Sequence, residues 1–240
     1  MVVVHHQADL DVPAPLAQVG DGVEAGGQNG MTILELARTK SIEIPTLCND
    51  PCLQSIGACR VCLVEDEKRG SFHAACVTPI APGMVINTCS PRVIDYRKVV
   101  VKLMLASHPD SCLVCEKGNQ CELRQIAANL GIGLVEYYPM SHFSGTQEVN
   151  PFILRDLSKC ILCAKCIRAD HELVVEGAID YIDRGFEARP ATLADGPLQV
   201  SECTFCGTCV ELCPTGALFE REKPHRGTAT RRVATTCSFC

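Results

Sequence analysis

The sequence predicts an α+β protein built from three small modules, each organised around cysteines, and three observations carry that prediction. Fourteen of the eighteen cysteines fall into four consecutive clusters. Up to residue 92, short β-type runs broken by Gly and Pro alternate with one capped helix. From Val93 onward the apolar spacing changes to that of a helix.

The first module spans residues 1–92. Leu10 to Val23 supplies two short strands broken by Pro13, Pro15 and Gly20-Asp21-Gly22. Thr32 with Glu35 three residues on is a capping box and predicts a helix from Ile33 to about Thr39. Ile42 to Leu47 carries Pro45 and leads into a cysteine loop; Arg60 to Asp66 and His73 to Val77 read as strands, and Pro79 to Gly83 as a turn.

The second module, 93–150, opens with a helix to Ser107 on which Val93, Ile94, Val99, Val100, Leu103 and Met104 share an apolar face. A second helix runs from Cys121 to Leu130 and stops at Gly131, followed by a linker. The third module, 151–222, holds two cysteine triplets. Val174, Ile179, Tyr181 and Ile182 predict short strands between them, in an approximate internal repeat. Residues 223–240 form a polar tail.

Composition narrows the function classes. With 5% aromatic residues and no Trp, the cores are poor in large side chains, so metal binding is expected to supply part of the folding energy. The net charge of -6 comes with no Lys/Arg-rich block and no interleaving of basic and aromatic residues, so nucleic acid is not an expected partner. Met1 to His6 lacks the basic region of a secretory signal, and Val99 to Ala106 contains Lys102 and is too short to span a bilayer. A cytoplasmic chain is expected, and in that compartment cysteines serve as metal ligands more readily than as disulfides. The alternative to iron-sulfur sites is structural zinc, which uses paired C-x2-C motifs rather than triplets followed by C-P.

Cys203, Cys206, Cys209 and Cys213-Pro214 form a C-x2-C-x2-C-x3-C-P run of the bacterial two-cluster ferredoxin type. In such runs three cysteines wrap one cubane and the fourth reaches the other, so Cys160, Cys163 and Cys166 are expected to hold one 4Fe-4S cluster with Cys213. Cys203, Cys206 and Cys209 hold the second with position 170. That position is Asp170. Its carboxylate, His171 or water ligates the fourth iron, or the site holds a 3Fe-4S cluster, or Asp170 caps the following turn. Cys48, Cys59, Cys62 and Cys76 give the four thiolates a 2Fe-2S cluster needs, three from a loop and one from a later strand. Cys52 and Cys89 fall outside the pattern and read as free thiols. In His108-x3-Cys112-x2-Cys115-x5-Cys121, one imidazole and three thiolates suffice to close a 4Fe-4S site, although a lone histidine before proline is ordinarily a surface residue.

Ile44-Pro45-Thr46-Leu47-Cys48, Gly57-Ala58-Cys59-Arg60-Val61-Cys62-Leu63-Val64 and Ala75-Cys76-Val77-Thr78-Pro79 resemble the amino-terminal ferredoxin module of complex I's large iron-sulfur subunit. The same module is similar in NAD-linked formate dehydrogenases and NAD-reducing hydrogenases, and the likeness covers residues 15–240. The resemblance implies a β-grasp 2Fe-2S domain, His108 as a cluster ligand, and a cysteine where this chain has Asp170. Thr235-Thr236-Cys237-Ser238-Phe239-Cys240 resembles the start of the pterin domain of formate dehydrogenases, where Cys237 and Cys240 begin a further 4Fe-4S site completed outside this chain.

The resulting expectation is the iron-sulfur relay of a cytosolic NAD(P)-linked formate dehydrogenase, without a catalytic site of its own, between a Mo/W-pterin centre and diaphorase subunits that carry flavin and bind NAD. The alternatives are the diaphorase iron-sulfur subunit of an NAD-reducing hydrogenase, or a stand-alone ferredoxin-like carrier or sensor. Gly20-Asp21-Gly22-Val23-Glu24-Ala25 fits a dinucleotide fingerprint only superficially and is read as a hairpin turn. Replacing His108 with Ala is expected to remove or destabilise only its own cluster, since the other sites take no ligand from that segment. Paramagnetic resonance checks this, and unchanged signals from every cluster would exclude His108 as a ligand.

Overall fold

A computed structural model describes residues 2–5, 23–28, 30–133, 135, 137, 150–222, 231, 233, 234 and 236. The strands expected before Val23, the hairpin turn at Gly20, most of the linker before residue 150, and Cys237 and Cys240 lie outside the described residues.

The first ninety residues build a five-stranded mixed sheet from β1 (Val2–His5), β2 (Val23–Ala25), β3 (Leu63–Asp66), β4 (Ser71–Ala74) and β5 (Val85–Asn87), in the order β2-β1-β5-β3-β4. β1 runs parallel to β5, with Val3 opposite Val85, and the other pairs are antiparallel. Two of these strands have no counterpart among the sequence expectations. β1 is a β-branched Val run too short to show a strand period, and β5 sits directly behind a turn.

Two expected strands are shorter in the structure. Arg60 to Cys62 is not in a strand because Arg60 takes a left-handed φ of 58°. Cys76 lies in a turn after β4 rather than in a strand, which leaves its thiol free to face the Cys62 loop.

Helix α1 (Ile33–Thr39) forms where expected. Glu35 N donates to Thr32 Oγ1 at 3.2 Å and Thr32 N donates to the Glu35 carboxylate at 2.7 Å, so both halves of the capping box are made. Its buried face, Ile33, Leu34, Leu36 and Ala37, packs into a core with Val64, Ala74 and Ile86.

Helix α2 (Pro91–Ala106) starts at Ser90, whose hydroxyl accepts from Val93 N, with Pro91 at the first position where no N–H is needed. The expected apolar face is rotated. Val99 and Leu103 are 45% and 51% exposed, while Val93, Arg97 and Val101 are buried. Arg97 takes a core-facing position because its guanidinium finds the Leu63 carbonyl at 2.6 Å, a partner that side-chain hydropathy cannot reveal.

Helix α3 (Glu122–Asn129) follows two 3-10 turns, Cys112–Val114 and Gly118–Gln120, and ends at Leu130 before Gly131 with φ of 64°.

In the third segment β6 (Ile153–Arg155) pairs with β9 (Leu218–Glu220), bringing its two ends together. β7 (Asp180–Ile182) pairs with β8 (Arg189–Ala191). Short helices α4 (Lys165–Arg168) and α5 (Thr208–Leu212) each carry the third cysteine of a triplet. Val174 lies in a π-helical extension of α4, Ala169–Val174, and Ile179 precedes β7, so the expected strand region shrinks to β7 alone. Among the described residues no helix is long and apolar enough to cross a membrane.

Replacing Thr32 with Ala is expected to cost about 1 kcal/mol, read as a lower denaturation midpoint of the anaerobic protein. Its backbone and side-chain hydrogen bonds hold the Glu35 carboxyl below the usual carboxylate range. That contribution is present above the unfolded-state value and is lost as pH falls through the lowered folded-state value, so the gap between parent and variant should narrow in acid.

Candidate metal centres

The first centre gathers Cys48, Cys59, Cys62 and Cys76, all buried. The Cys59 N–H donates to Cys48 Sγ at 3.4 Å, and Cys62 Sγ lies 3.4 Å from Cys76 Sγ. Left-handed φ angles at Gly57 (64°) and Arg60 (58°) fold the loop back so that successive thiols face inward. Shared thiol hydrogen bonds pull Cys48, beside Cys59, and Cys62, beside Cys76, down in pKa, and they push Cys59 and Cys76 up. Buried Arg97 lies behind this loop; burial lowers its pKa to about 10, opposed by the charges of Cys62 and Cys89. Cys52 is exposed and Cys89 half-buried.

The second centre lies between α2 and α3. Cys112 is exposed, Cys115 buried, and Cys121 stands just before the first residue of α3. Burial raises the Cys121 pKa, with smaller contributions from Cys115 and Cys112. A Cβ on Gly118 would meet the Cys112 carbonyl at 2.7 Å, so the turn needs glycine there. His108 stands just past the end of α2 with its Nδ1 3.4 Å from the Pro109 carbonyl. Its Nε2 is buried without a hydrogen-bond partner, and burial lowers the ring's pKa. A neutral imidazole with an unused buried nitrogen is chemically fit to ligate iron.

The third centre is a cavity of about 500 Å³, open solvent included, whose lining contains all four of Cys160, Cys163, Cys166 and Cys213. Burial pushes the Cys160 thiol up to about 11 and Cys163 up to about 12, and holds Cys166 well above its usual value. Thiols so placed stay protonated at neutral pH until a metal replaces the proton.

The fourth centre is a cavity of about 340 Å³, on the same measure, lined by Cys203, Cys206, Cys209 and Asp170. Burial raises Cys209 to about 12. At exposed Cys206, what burial there is opposes ionisation, but hydrogen bonds led by Thr208 outweigh it and the net shift is downward. The Asp170 carboxylate is engaged with the backbone that follows: its Oδ2 accepts from Ile179 N, nine residues on, at 2.9 Å. His171 is engaged elsewhere, its Nε2 3.1 Å from the Ile179 carbonyl, so of the two residues it is Asp170 that lines the cavity.

The two triplet loops share one backbone design. Leu162 and Phe205 both have φ of 54°, and their N–H groups meet Cys160 Sγ and Cys203 Sγ at 3.4 Å. Ala164 (59°) and Gly207 (78°) then start α4 and α5. Non-glycine residues at such angles carry strain of about 1–2 kcal/mol, and here it aims backbone donors at sulfur.

Among the described residues no group of three or more His, Cys, Asp or Glu side chains is placed to hold a single metal ion. Sequence reasoning missed the buried basic residues Arg97, Lys165 and Arg168, whose partners are carbonyls or a carboxylate from distant segments.

Residues 17–91 match the 2Fe-2S iron-sulfur cluster binding domain. Residues 97–135 match the iron-sulfur binding region of NADH-ubiquinone oxidoreductase G, and 150–219 the ferredoxin-like domain of NADH-quinone oxidoreductase subunit 3. The chain is 40% identical over 209 residues to the NADP-reducing hydrogenase subunit HndD of Solidesulfovibrio fructosivorans, covering 84% of this chain and 35% of that protein. It is 36% identical to the NADPH-Fe(3+) oxidoreductase subunit alpha of Geobacter sulfurreducens, covering 92% and 26%, and 35% identical to a G-type NADH-quinone oxidoreductase subunit of Rhizobium meliloti, covering 79% and 22%. It thus spans only 22% to 35% of the length of these relatives. A chain of the NAD+-reducing [NiFe]-hydrogenase in its H2-reduced state superposes with a TM-score of 0.74 at 26% identity, over 89% of this chain and 87% of that one. The chain thus carries a 2Fe-2S ferredoxin domain followed by 4Fe-4S-binding domains and resembles the amino-terminal iron-sulfur module of the G-type NADH-quinone oxidoreductase and NAD(P)-reducing hydrogenase subunits.

Proposed function

We propose that the chain is the electron relay of an NAD(P)-linked oxidoreductase complex, with its modules at 1–92, 93–150 and 151–222. When bound, the clusters supply one-electron transfer; the chain's own residues hold, space and tune them. The proposed ligand sets are Cys48, Cys59, Cys62 and Cys76; His108, Cys112, Cys115 and Cys121; Cys160, Cys163, Cys166 and Cys213; and Cys203, Cys206 and Cys209 with Asp170.

The observation that carries the reading is that the centres adjoin. Cys48, Cys59 and Cys163 share one buried core with α3. Glu122 N, beside Cys121, donates to the Pro214 carbonyl, beside Cys213, at 3.0 Å. Gly216 approaches so closely that a Cβ there would meet Cys115 Sγ at 2.7 Å. The Cys160 centre is therefore the junction on which the others lean, which suits a fixed relay better than a shuttle or sensor.

Two complexes fit this relay. The formate dehydrogenase reading, with a Mo/W-pterin partner, rests on the likeness of the segment around Cys237 and Cys240, outside the described residues. The hydrogenase reading is supported by the superposition on a chain of similar extent. In both, flavin- and NAD-binding subunits are the partners and the compartment is the cytoplasm. NAD(P)+ reduction by the purified complex with formate or with hydrogen separates them.

Anaerobic iron and sulfide analysis is expected to give about fourteen irons per chain, or about thirteen with a three-iron cluster at the Asp170 centre. Stoichiometric zinc with little sulfide overturns the reading. Asp170→Cys is expected to make that centre all-thiolate and more resistant to oxidative loss of iron, changing one cluster in a paramagnetic redox titration. Identical spectra, potentials and air sensitivity would place Asp170 away from the iron.

A further inference from the structure

We propose that Arg168 is a positioning residue that clasps the Cys48 loop to the Cys160 centre and holds the potentials of both clusters up. The inference rests on the relay reading above and concerns a residue outside every ligand set.

Arg168 closes α4, two residues after Cys166, and is 7% exposed. Its Nη2 donates to the Cys48 carbonyl at 2.5 Å and to the Cys163 carbonyl at 3.5 Å, while Nη1 donates to the Gln54 carbonyl at 2.5 Å. One guanidinium thus holds the backbone of a proposed ligand from each of two centres. The loop is gripped a second time by Glu172, on the π-helical extension of α4, whose carboxylate accepts from Gln54 N at 2.7 Å. Only a planar fork with several donors can reach three carbonyls on two segments at once; an ammonium is a single point.

Charge gives the second argument. Arg168 carries a guanidinium cation, its Nε is buried without a hydrogen-bond partner, and its three partners are neutral carbonyls. A buried cation is costly unless negative charge faces it. Its contacts are with the backbone of Cys48 and Cys163, whose own thiols become thiolates of anionic clusters when iron is bound. The cation favours the reduced, more negative state of each cluster and so raises both potentials. Arg168 itself neither gains nor loses a proton or an electron; it fixes the separation across which exchange takes place.

The test compares anaerobically loaded Arg168→Met and Arg168→Lys with the parent by iron content, redox titration and the magnetic interaction between the two reduced clusters. Arg168→Met is expected to shift both midpoints to more negative potential and weaken the magnetic interaction, with smaller changes at the His108 and Asp170 centres. Arg168→Lys should stay near the parental potentials but still lose interaction, because it keeps the charge and not the fork. Unchanged midpoints in the loaded Met variant, a shift confined to one of the two clusters, or parental interaction in the Lys variant overturns the proposal. If the Met variant does not load, Arg168→Gln takes its place with the same expected shift of both midpoints and the same overturning results, and uniform loss of iron from all centres in every variant also overturns the proposal. A parent that holds no iron-sulfur clusters overturns the relay reading itself and this inference with it; a fully loaded parent with unresponsive variants overturns only the inference.

Discussion

One packing contact supports the arrangement of the whole chain. Leu47, Cys48, Cys59 and Val61 from the first segment, Val101 from α2, Leu123 and Ala127 from α3, and Cys163 from the third segment bury one another in a single core. The contributing pieces are two cysteine loops and the helices α2 and α3, and each buries these side chains only against the others. The same side chains that give stability bring the cysteine loops side by side. Spacing between centres is thus a packing property of the fold rather than of any one module.

Within that frame the loops are strained, and the thiols of the third centre are held protonated. Left-handed angles at Arg60, Leu162, Ala164 and Phe205 are conformations that free side chains avoid, and burial keeps Cys160, Cys163 and Cys166 from ionising. Iron that takes the place of the protons holds the loops in these conformations and offsets their strain, so metal loading and local folding are coupled.

Buried basic residues form a second layer around the thiols. Arg97 reaches the Leu63 carbonyl behind the first centre, and Lys165 on α4 reaches Glu122 of α3 at 3.6 Å. Burial raises the Glu122 pKa while Lys165 opposes the rise, so the pair only partly satisfies itself and is retained by the packing around it. Such cations face a set of sites that turn negative on loading, which balances charge across the interior rather than at the surface.

The sequence by itself determined the α+β class, the capping box of α1 and the bounds of α2 and α3 to within a residue or two, and it predicts the grouping of cysteines into four sets. These follow from local rules: a cap needs residues three apart, and a cluster loop needs thiols at fixed short intervals. Val2–His5 and Val85–Asn87 escaped it because a short strand is defined by a partner far away in sequence. The face of α2 turned for the same reason, since Arg97 is buried only because a carbonyl on β3 receives it. Only the tertiary structure brought Asp170 rather than His171 to the fourth cavity and Arg168 to the Cys48 carbonyl. Hydrogen bonds across 120 residues leave no periodic trace in composition or spacing, because their partners are backbone oxygens that every residue carries.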